Sequence, residues 1–246
     1  MRTEHHKWMS PQLSREMELK VYGDYGKPML AFPSSNGRFH DYENFGMIGA
    51  CEPFIDSGKV KIFCVDGIDH ETWMNEALHP ADKSRRYSQY EAYILGEAVP
   101  FIYRQCESDT LPIITTGCSL GGYHAANIFF KHAGVFDTAI LLSGVYSLNF
   151  SVGEYVDGNV YFNDPLRYLA NLNDEGILGQ YRRSRIIICN GQGPWEEWSL
   201  DESRRLSEVL RSKNVDHWLD IWGHDVAHDW PWWRKMIVYF LEKLAL

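Results

Sequence analysis

Leu111-Pro112-Ile113-Ile114-Thr115-Thr116-Gly117-Cys118-Ser119-Leu120-Gly121-Gly122-Tyr123-His124-Ala125-Ala126-Asn127-Ile128 is the stretch that decides the architecture. Its first half is a short apolar and β-branched run, as a strand covered on both faces requires. Its second half opens a helix of small and apolar residues. Between them lies the chain's one G-x-S-x-G, Gly117–Gly121. A serine at the centre of so sharp a strand-to-helix turn is strained, with its Oγ exposed at the helix N-terminus. Flanking glycines are needed because a Cβ there would strike the adjoining strand and helix. Ser119 is therefore the candidate nucleophile. Cys118 is not, since such an elbow points its central residue outward and not the one before it.

Outward from this turn, apolar runs bounded by turn residues alternate with segments of helical period. Strands are expected over Met17–Tyr22, Pro28–Phe32, Lys59–Val65, Pro112–Thr116, Thr138–Ser143, Ile186–Cys189 and His217–Trp222. Helices are expected over Arg86–Gln105, ended or kinked by Pro100, and over Ser119–Ala133, Leu200–Ser212 and Pro231–Leu244. The alternation implies an α/β fold, with a mostly parallel central sheet and helices on both faces. No linker, repeat or low-complexity tract divides residues 1–246, so one domain is expected. The stretch 146–183, rich in Asn, Asp, Tyr and Gly, breaks the alternation and reads either as a small lid-like insertion above the strands' carboxyl ends or as a plain surface excursion. Within it, Asn163-Asp164-Pro165 has the form of a helix cap.

The 246 residues suffice for a core on both faces of a sheet. The net charge of −9 argues against a nucleic-acid partner, which needs a basic stripe to displace counterions. Met1–Lys20 lacks the apolar stretch of a signal peptide, and no apolar run is long enough to span a membrane. Five cysteines without C-x-x-C spacing suit a reducing, cytoplasmic setting, with Cys64 and Cys189 as small core residues. No cofactor is implied.

A serine elbow of this kind is served by an acid and then a histidine, later in the chain. The histidine belongs after the last strand, where Trp222-Gly223-His224-Asp225-Val226-Ala227-His228-Asp229-Trp230 offers two. His228 is preferred because it lies just before the last helix; His224 would line or support the loop. The same segment approximates H-E-x-x-H, but that zinc motif works only on a continuous helix, and Gly223 before and Pro231 after argue against one. No metal site is expected. The acid belongs after Ile186–Cys189, in Asn190-Gly191-Gln192-Gly193-Pro194-Trp195-Glu196-Glu197-Trp198, which offers Glu196 or Glu197 and no aspartate. Asp225 is a third candidate. For the oxyanion, the backbone N–H of Leu120 is one donor. The second should come from Pro33-Ser34-Ser35-Asn36-Gly37, with Ser35 foremost and Ser34 and Asn36 as neighbours. Seven of the nine tryptophans fall between Trp195 and Trp233, beside the acid and base loops, as pocket wall or as core. Asp66-Gly67-Ile68-Asp69-His70 reads as a strand-ending turn that could edge the pocket.

With these pieces in place, the sequence resembles the putative-esterase family of α/β-hydrolases, which includes S-formylglutathione hydrolases, feruloyl esterases and mycolyltransferases. The matching pieces are Ser10–Arg15, Glu97-Ala98-Val99-Pro100, Gly117–Gly122, and His228-Asp229-Trp230 with Trp233. Two features depart from the family pattern: glutamates stand where the family places an aspartate, and Pro33-Ser34-Ser35 stands where a His-Gly or Asp-Gly pair is frequent. The resemblance implies the α/β-hydrolase fold and small-molecule ester substrates. The expected activity is that of a serine carboxylesterase working through an acyl-enzyme on a Ser-His-Glu triad. An acyltransferase with the same triad, an inactive hydrolase-fold binding module, and assembly into a homo-oligomer stay open on the sequence alone.

Overall fold

The computed structural model describes residues 1–244, and among these the strands are β1 (Thr3–Ser10), β2 (Arg15–Tyr22), β3 (Lys27–Phe32), β4 (Val60–Val65), β5 (Ile113–Cys118), β6 (Phe136–Leu142), β7 (Arg185–Asn190) and β8 (Trp218–Ile221). They form one sheet in the order β1-β2-β4-β3-β5-β6-β7-β8. The β1–β2 and β2–β4 pairs are antiparallel and the rest parallel. Because side chains alternate along a strand, each central strand feeds two cores. Phe63 and Val65 of β4, with Ala139 and Leu141 of β6, pack under the helices Pro80–Tyr93, Leu120–Lys131 and Glu197–Ser212. Ile62 and Cys64, with Ile140 and Leu142, pack against Met47–Asp56 and Trp230–Lys243 on the opposite face. This is the α/β-hydrolase fold. Cys64 and Cys189 are buried thiols within the second core, and no described helix is long and apolar enough to cross a membrane.

Two expectations are corrected. Thr3–Ser10 is a strand that the polar run Thr3-Glu4-His5-His6-Lys7 does not advertise. It is an edge strand, paired only to β2, and its side chains alternate between exposed and half-buried, so no apolar period arises. The Ser10–Arg15 stretch is the turn that joins the two. The helix expected over Arg86–Gln105 begins at Pro80, where the His79 ring accepts from Ala81 N at 3.2 Å. Its first turns bury Lys83 and Ser84, which hides their periodicity. Pro100 does not end the helix. The chain widens through Ile94–Ala98 and resumes as Val99–Gln105, the loosened turn making room for a ring that lacks an N–H.

Between β6 and β7 lie Asn149–Val152, Gly158–Tyr161, Pro165–Asn171 and Glu175–Arg183. Asp164 caps the third, accepting from Arg167 N. Leu169 and Tyr181 are buried in the first core, and Asn163 ties the segment to Leu120–Lys131 through Tyr123 Oη at 2.8 Å and Asn127 Nδ2 at 3.0 Å. The segment is thus anchored to the first core at these residues, while Phe162 and Ile177 are exposed.

Helix Leu120–Lys131 approaches the sheet so closely that a Cβ on Gly117 would lie 2.1 Å from the Gly121 carbonyl oxygen, and one on Gly121 2.5 Å from that of Pro33. Both obstacles are backbone and cannot swing aside. Gly117→Ala is expected to destabilise the fold by about 3 kcal/mol or more, the upper end of overpacking costs. Gly134→Ala, where an added Cβ meets nothing within 4 Å, should stay within about 1 kcal/mol of the parent. Urea unfolding of the two variants checks this; equal losses would show that the close approach is not the constraint.

Candidate active site

Five of the parallel strands end on the same rim of the sheet, and the loops beyond them build one pocket. Ser119 follows β5, Ser35 follows β3, Val145 follows β6, Trp195, Trp198 and Ser199 follow β7, and His228 follows β8. With Leu120, Met74 and Phe150 these residues enclose about 170 Å³. Ser119 holds φ 57° and ψ −123° as the residue just before helix Leu120–Lys131. Leu120 is that helix's first residue, so its N–H has no carbonyl one turn back to bond and remains available at the positive end of the helix dipole. Cys118 is buried in the second core beside Tyr42, and burial pushes its thiol far above the ordinary cysteine range. It does not line the pocket.

The two glutamates left open by the sequence differ sharply in position. Glu196 is fully buried, and its carboxylate accepts from His228 Nδ1 at 3.1 Å, Ser143 Oγ at 2.6 Å, Asn190 Nδ2 at 2.8 Å and Ser199 Oγ at 2.7 Å. Glu197 is exposed and opens helix Glu197–Ser212. Burial acts to raise the Glu196 carboxyl, but the bonds from His228, Ser143 and Ser199 outweigh it and leave the group below the usual glutamate range. Trp233 closes the cluster. Its Nε1 donates to Ser143 Oγ at 3.0 Å, and its ring meets the His228 ring edge-on at 5.0 Å. The loops that carry Glu196 and His228 are also stitched by backbone, with His228 N donating to Pro194 O at 3.0 Å and Gly193 N to Val226 O at 2.8 Å.

His224 and Asp225 are exposed. Residues 222–229 are irregular chain between β8 and the last helix, so His224 and His228 do not share the helical face that the zinc motif demands. Among the described residues no three His, Cys, Asp or Glu side chains gather as metal ligands. In the loop after β3, Asn36 N is committed to Asp69 Oδ2 at 3.0 Å, whereas Ser35 N has no partner among the described residues and Ser35 lines the pocket. Of the tryptophans, Trp195 and Trp198 wall the pocket, and Trp198 Nε1 is pinned at 3.0 Å by the buried Glu202. Trp218, which is exposed, and Trp222, which is half-buried, pack on Tyr239 away from the pocket.

Sequence reasoning missed Ser143, Asn190, Ser199 and Glu202, the polar groups that hold Glu196 and the pocket-wall Trp198. The first two stand at strand ends, a recognisable position, but nothing local says that their side chains converge.

The esterase family model, described as Putative esterase, matches residues 10–244. This chain belongs to the putative-esterase family. Among solved structures, this esterase is similar to a ferulic acid esterase at 16% identity and TM-score 0.78, with 98% of each chain covered. It is likewise similar to a fluorophosphonate-binding serine hydrolase F of Staphylococcus aureus, at 17% identity and TM-score 0.73, covering 98% of this chain and 97% of that one. An S-formylglutathione hydrolase from Agrobacterium tumefaciens matches at 16% identity and TM-score 0.74, covering 98% and 93%. At these identities the likeness speaks for the shared fold. No curated protein sequence matches the chain.

Because the Glu196 carboxyl lies below its unfolded value near 4.5, the folded state binds fewer protons there than the unfolded chain in mildly acid solution. Its contribution is complete above that value and is lost as pH falls through the lower folded one. The stability of the parent minus that of Glu196→Gln should therefore be largest above pH 4.5 and shrink below it. Denaturant midpoints from about pH 6 to about pH 3 measure the difference; a gap that does not narrow in acid would contradict this account.

Proposed function

We propose that this esterase hydrolyses small-molecule carboxylic esters through an acyl-enzyme formed on Ser119, with His228 as general base and Glu196 as its orienting acid. The observation that carries this reading is that Ser119 and His228 share one pocket while the other face of the His228 ring is held by a buried carboxylate. A carboxylate accepts, so Nδ1 bears the proton and Nε2 keeps a lone pair for the Ser119 hydroxyl. Ser119 Oγ attacks the acyl carbon as Nε2 takes its proton, and Glu196 stabilises the imidazolium. The carbonyl oxygen becomes an oxyanion between the N–H groups of Leu120 and Ser35. Collapse expels the alkoxide, which leaves as the alcohol with the proton from Nε2. Water, deprotonated by the same nitrogen, then attacks the acyl-enzyme and releases the acid and free Ser119. Each step balances with protein groups and water alone. Met74, Val145, Phe150, Trp195 and Trp198 offer an apolar wall against which a compact acyl or alcohol group fits.

Ser119→Ala is expected to abolish turnover of an aryl ester and to prevent labelling by a fluorophosphonate, while the circular-dichroism spectrum stays that of the parent. His228→Ala should lower kcat by on the order of 10³-fold or more, because the triad acts as a unit. His224→Ala, at an exposed residue outside the pocket, should stay within about tenfold. Labelling at another residue, or a larger loss at His224 than at His228, would reject the assignment.

A further inference from the structure

The proposed mechanism leaves unused a buried, ionisable cluster that touches the oxyanion loop. Asp69 and His124 are each 2% exposed. Asp69 Oδ1 accepts from His124 Nε2 at 2.9 Å, and Asp69 Oδ2 accepts from the backbone N–H of Asn36 at 3.0 Å. His124 Nδ1 meets the hydroxyl of the fully buried Tyr87 at 3.2 Å. With Nε2–H donated to a carboxylate, Nδ1 is the acceptor and Tyr87 the donor, so the three groups form one directed chain.

Both ends of that chain matter to the oxyanion. His124 lies on helix Leu120–Lys131, the helix that Ser119 precedes and whose first residue is the proposed donor Leu120. At the other end, Asn36 is held at φ 55°, a left-handed conformation in a loop tied internally by Gly37 N to Ser34 O at 2.8 Å. The bond from Asn36 N to Asp69 sets the plane of the peptide just after Ser35. It also removes Asn36 from the candidate donors and leaves Ser35 N as the group without a partner among the described residues. A peptide free to turn about this φ would re-aim both N–H groups.

We propose that Asp69 is a positioning residue for ester hydrolysis: clamped by His124, it fixes the Ser35–Asn36 peptide and so registers the Ser35 N–H donor against the Leu120 donor at the head of the helix that carries His124. This rests on the serine-esterase reading given above. Asp69 touches neither substrate nor the reacting atoms. Its effect is transmitted through Asn36, and the same turn delivers Met74 to the pocket wall, with Met74 N bonded to Asp69 O at 3.0 Å.

The test compares an aryl ester with its thionoester, in which sulfur replaces the carbonyl oxygen. Sulfur accepts hydrogen bonds poorly, so a well-formed oxyanion hole favours the oxygen substrate strongly, and a disordered one favours it less. Asp69→Ala is expected to lower kcat for the oxygen ester by on the order of 10²-fold, the effect of losing one oxyanion donor. KM should change by no more than about twofold, and the oxygen-to-sulfur rate ratio should fall about tenfold or more. Asp69→Asn keeps an oxygen for Asn36 N–H and can donate to His124 in its other tautomer, so it should restore kcat to within about tenfold of the parent along with most of the ratio. Damage to the fold alone would slow both substrates alike; an unchanged ratio in a folded, slowed Asp69→Ala overturns the inference, as does full activity. If Asp69→Ala does not fold, His124→Phe replaces it, with the same fall in ratio expected and an unchanged ratio again decisive. Parent protein without turnover of any ester, or with turnover that survives Ser119→Ala, would refute the serine-esterase reading itself and this inference with it. Loss of turnover in Ser119→Ala with an unmoved ratio at position 69 would refute the positioning role alone.

Discussion

Ser119 is held at φ 57° and ψ −123°, a conformation that an L-residue keeps only when surrounding packing outweighs its strain. That packing is the seating of helix Leu120–Lys131 directly on the ends of β3 and β5, where Gly117 and Gly121 let backbone meet backbone. Everything at the pocket is referred to this contact. It lifts Ser119 out of the sheet, sets the Leu120 N–H at the first turn and brings the loop that starts at Pro33 against the same helix. Other strained residues gather on the same rim. Asn36 (φ 55°), Ser143 (φ 46°) and Trp195 (φ 70°) each adopt the left-handed region and each belong to the pocket or to its supports.

A second constraint is electrostatic. Glu196 is a carboxylate removed entirely from solvent, a costly placement unless its lone pairs are satisfied. Hydroxyls from Ser143 and Ser199, the Asn190 amide and the His228 ring satisfy them from four separate segments of the chain. The His228 ring is thereby held with Nδ1 toward Glu196. Pre-organisation of this kind is what the proposed role of His228 as base requires if proton transfer is not to wait on rearrangement. Asp69 has a parallel place on the opposite side of Ser119, after β4 where Glu196 follows β7. It too is buried, and it too uses both oxygens to join elements distant in sequence.

Parallel strands buried on both faces write themselves as continuous Ile, Val and Leu runs, which is why β3 to β7 are legible to within a few residues. Strand β1 is not, because an edge strand with exposed His5 and Lys7 need not be apolar. The start of the Pro80 helix is hidden for a related reason: Lys83 is buried by its own aliphatic stem while its Nζ bonds Ser151 O at 2.9 Å, so a charged letter stands in a core position.

The glycine-flanked elbow at Ser119 and the doubly covered sheet are local facts, written in spacing and composition, and the sequence by itself determined them. Glu196 against Glu197 was not a local fact. Both residues sit in the same loop and carry the same chemistry, and a rotation of one position decides which side chain enters the interior. That rotation is set by the start of helix Glu197–Ser212, which turns Glu197 to solvent and Glu196 toward Ser143 and Asn190. The same holds for Ser35 against Asn36, which Asp69 separates by occupying one of two adjacent N–H groups. Hydrogen-bond partners from remote strands make such choices, and only the tertiary structure brings those partners to within about 3 Å.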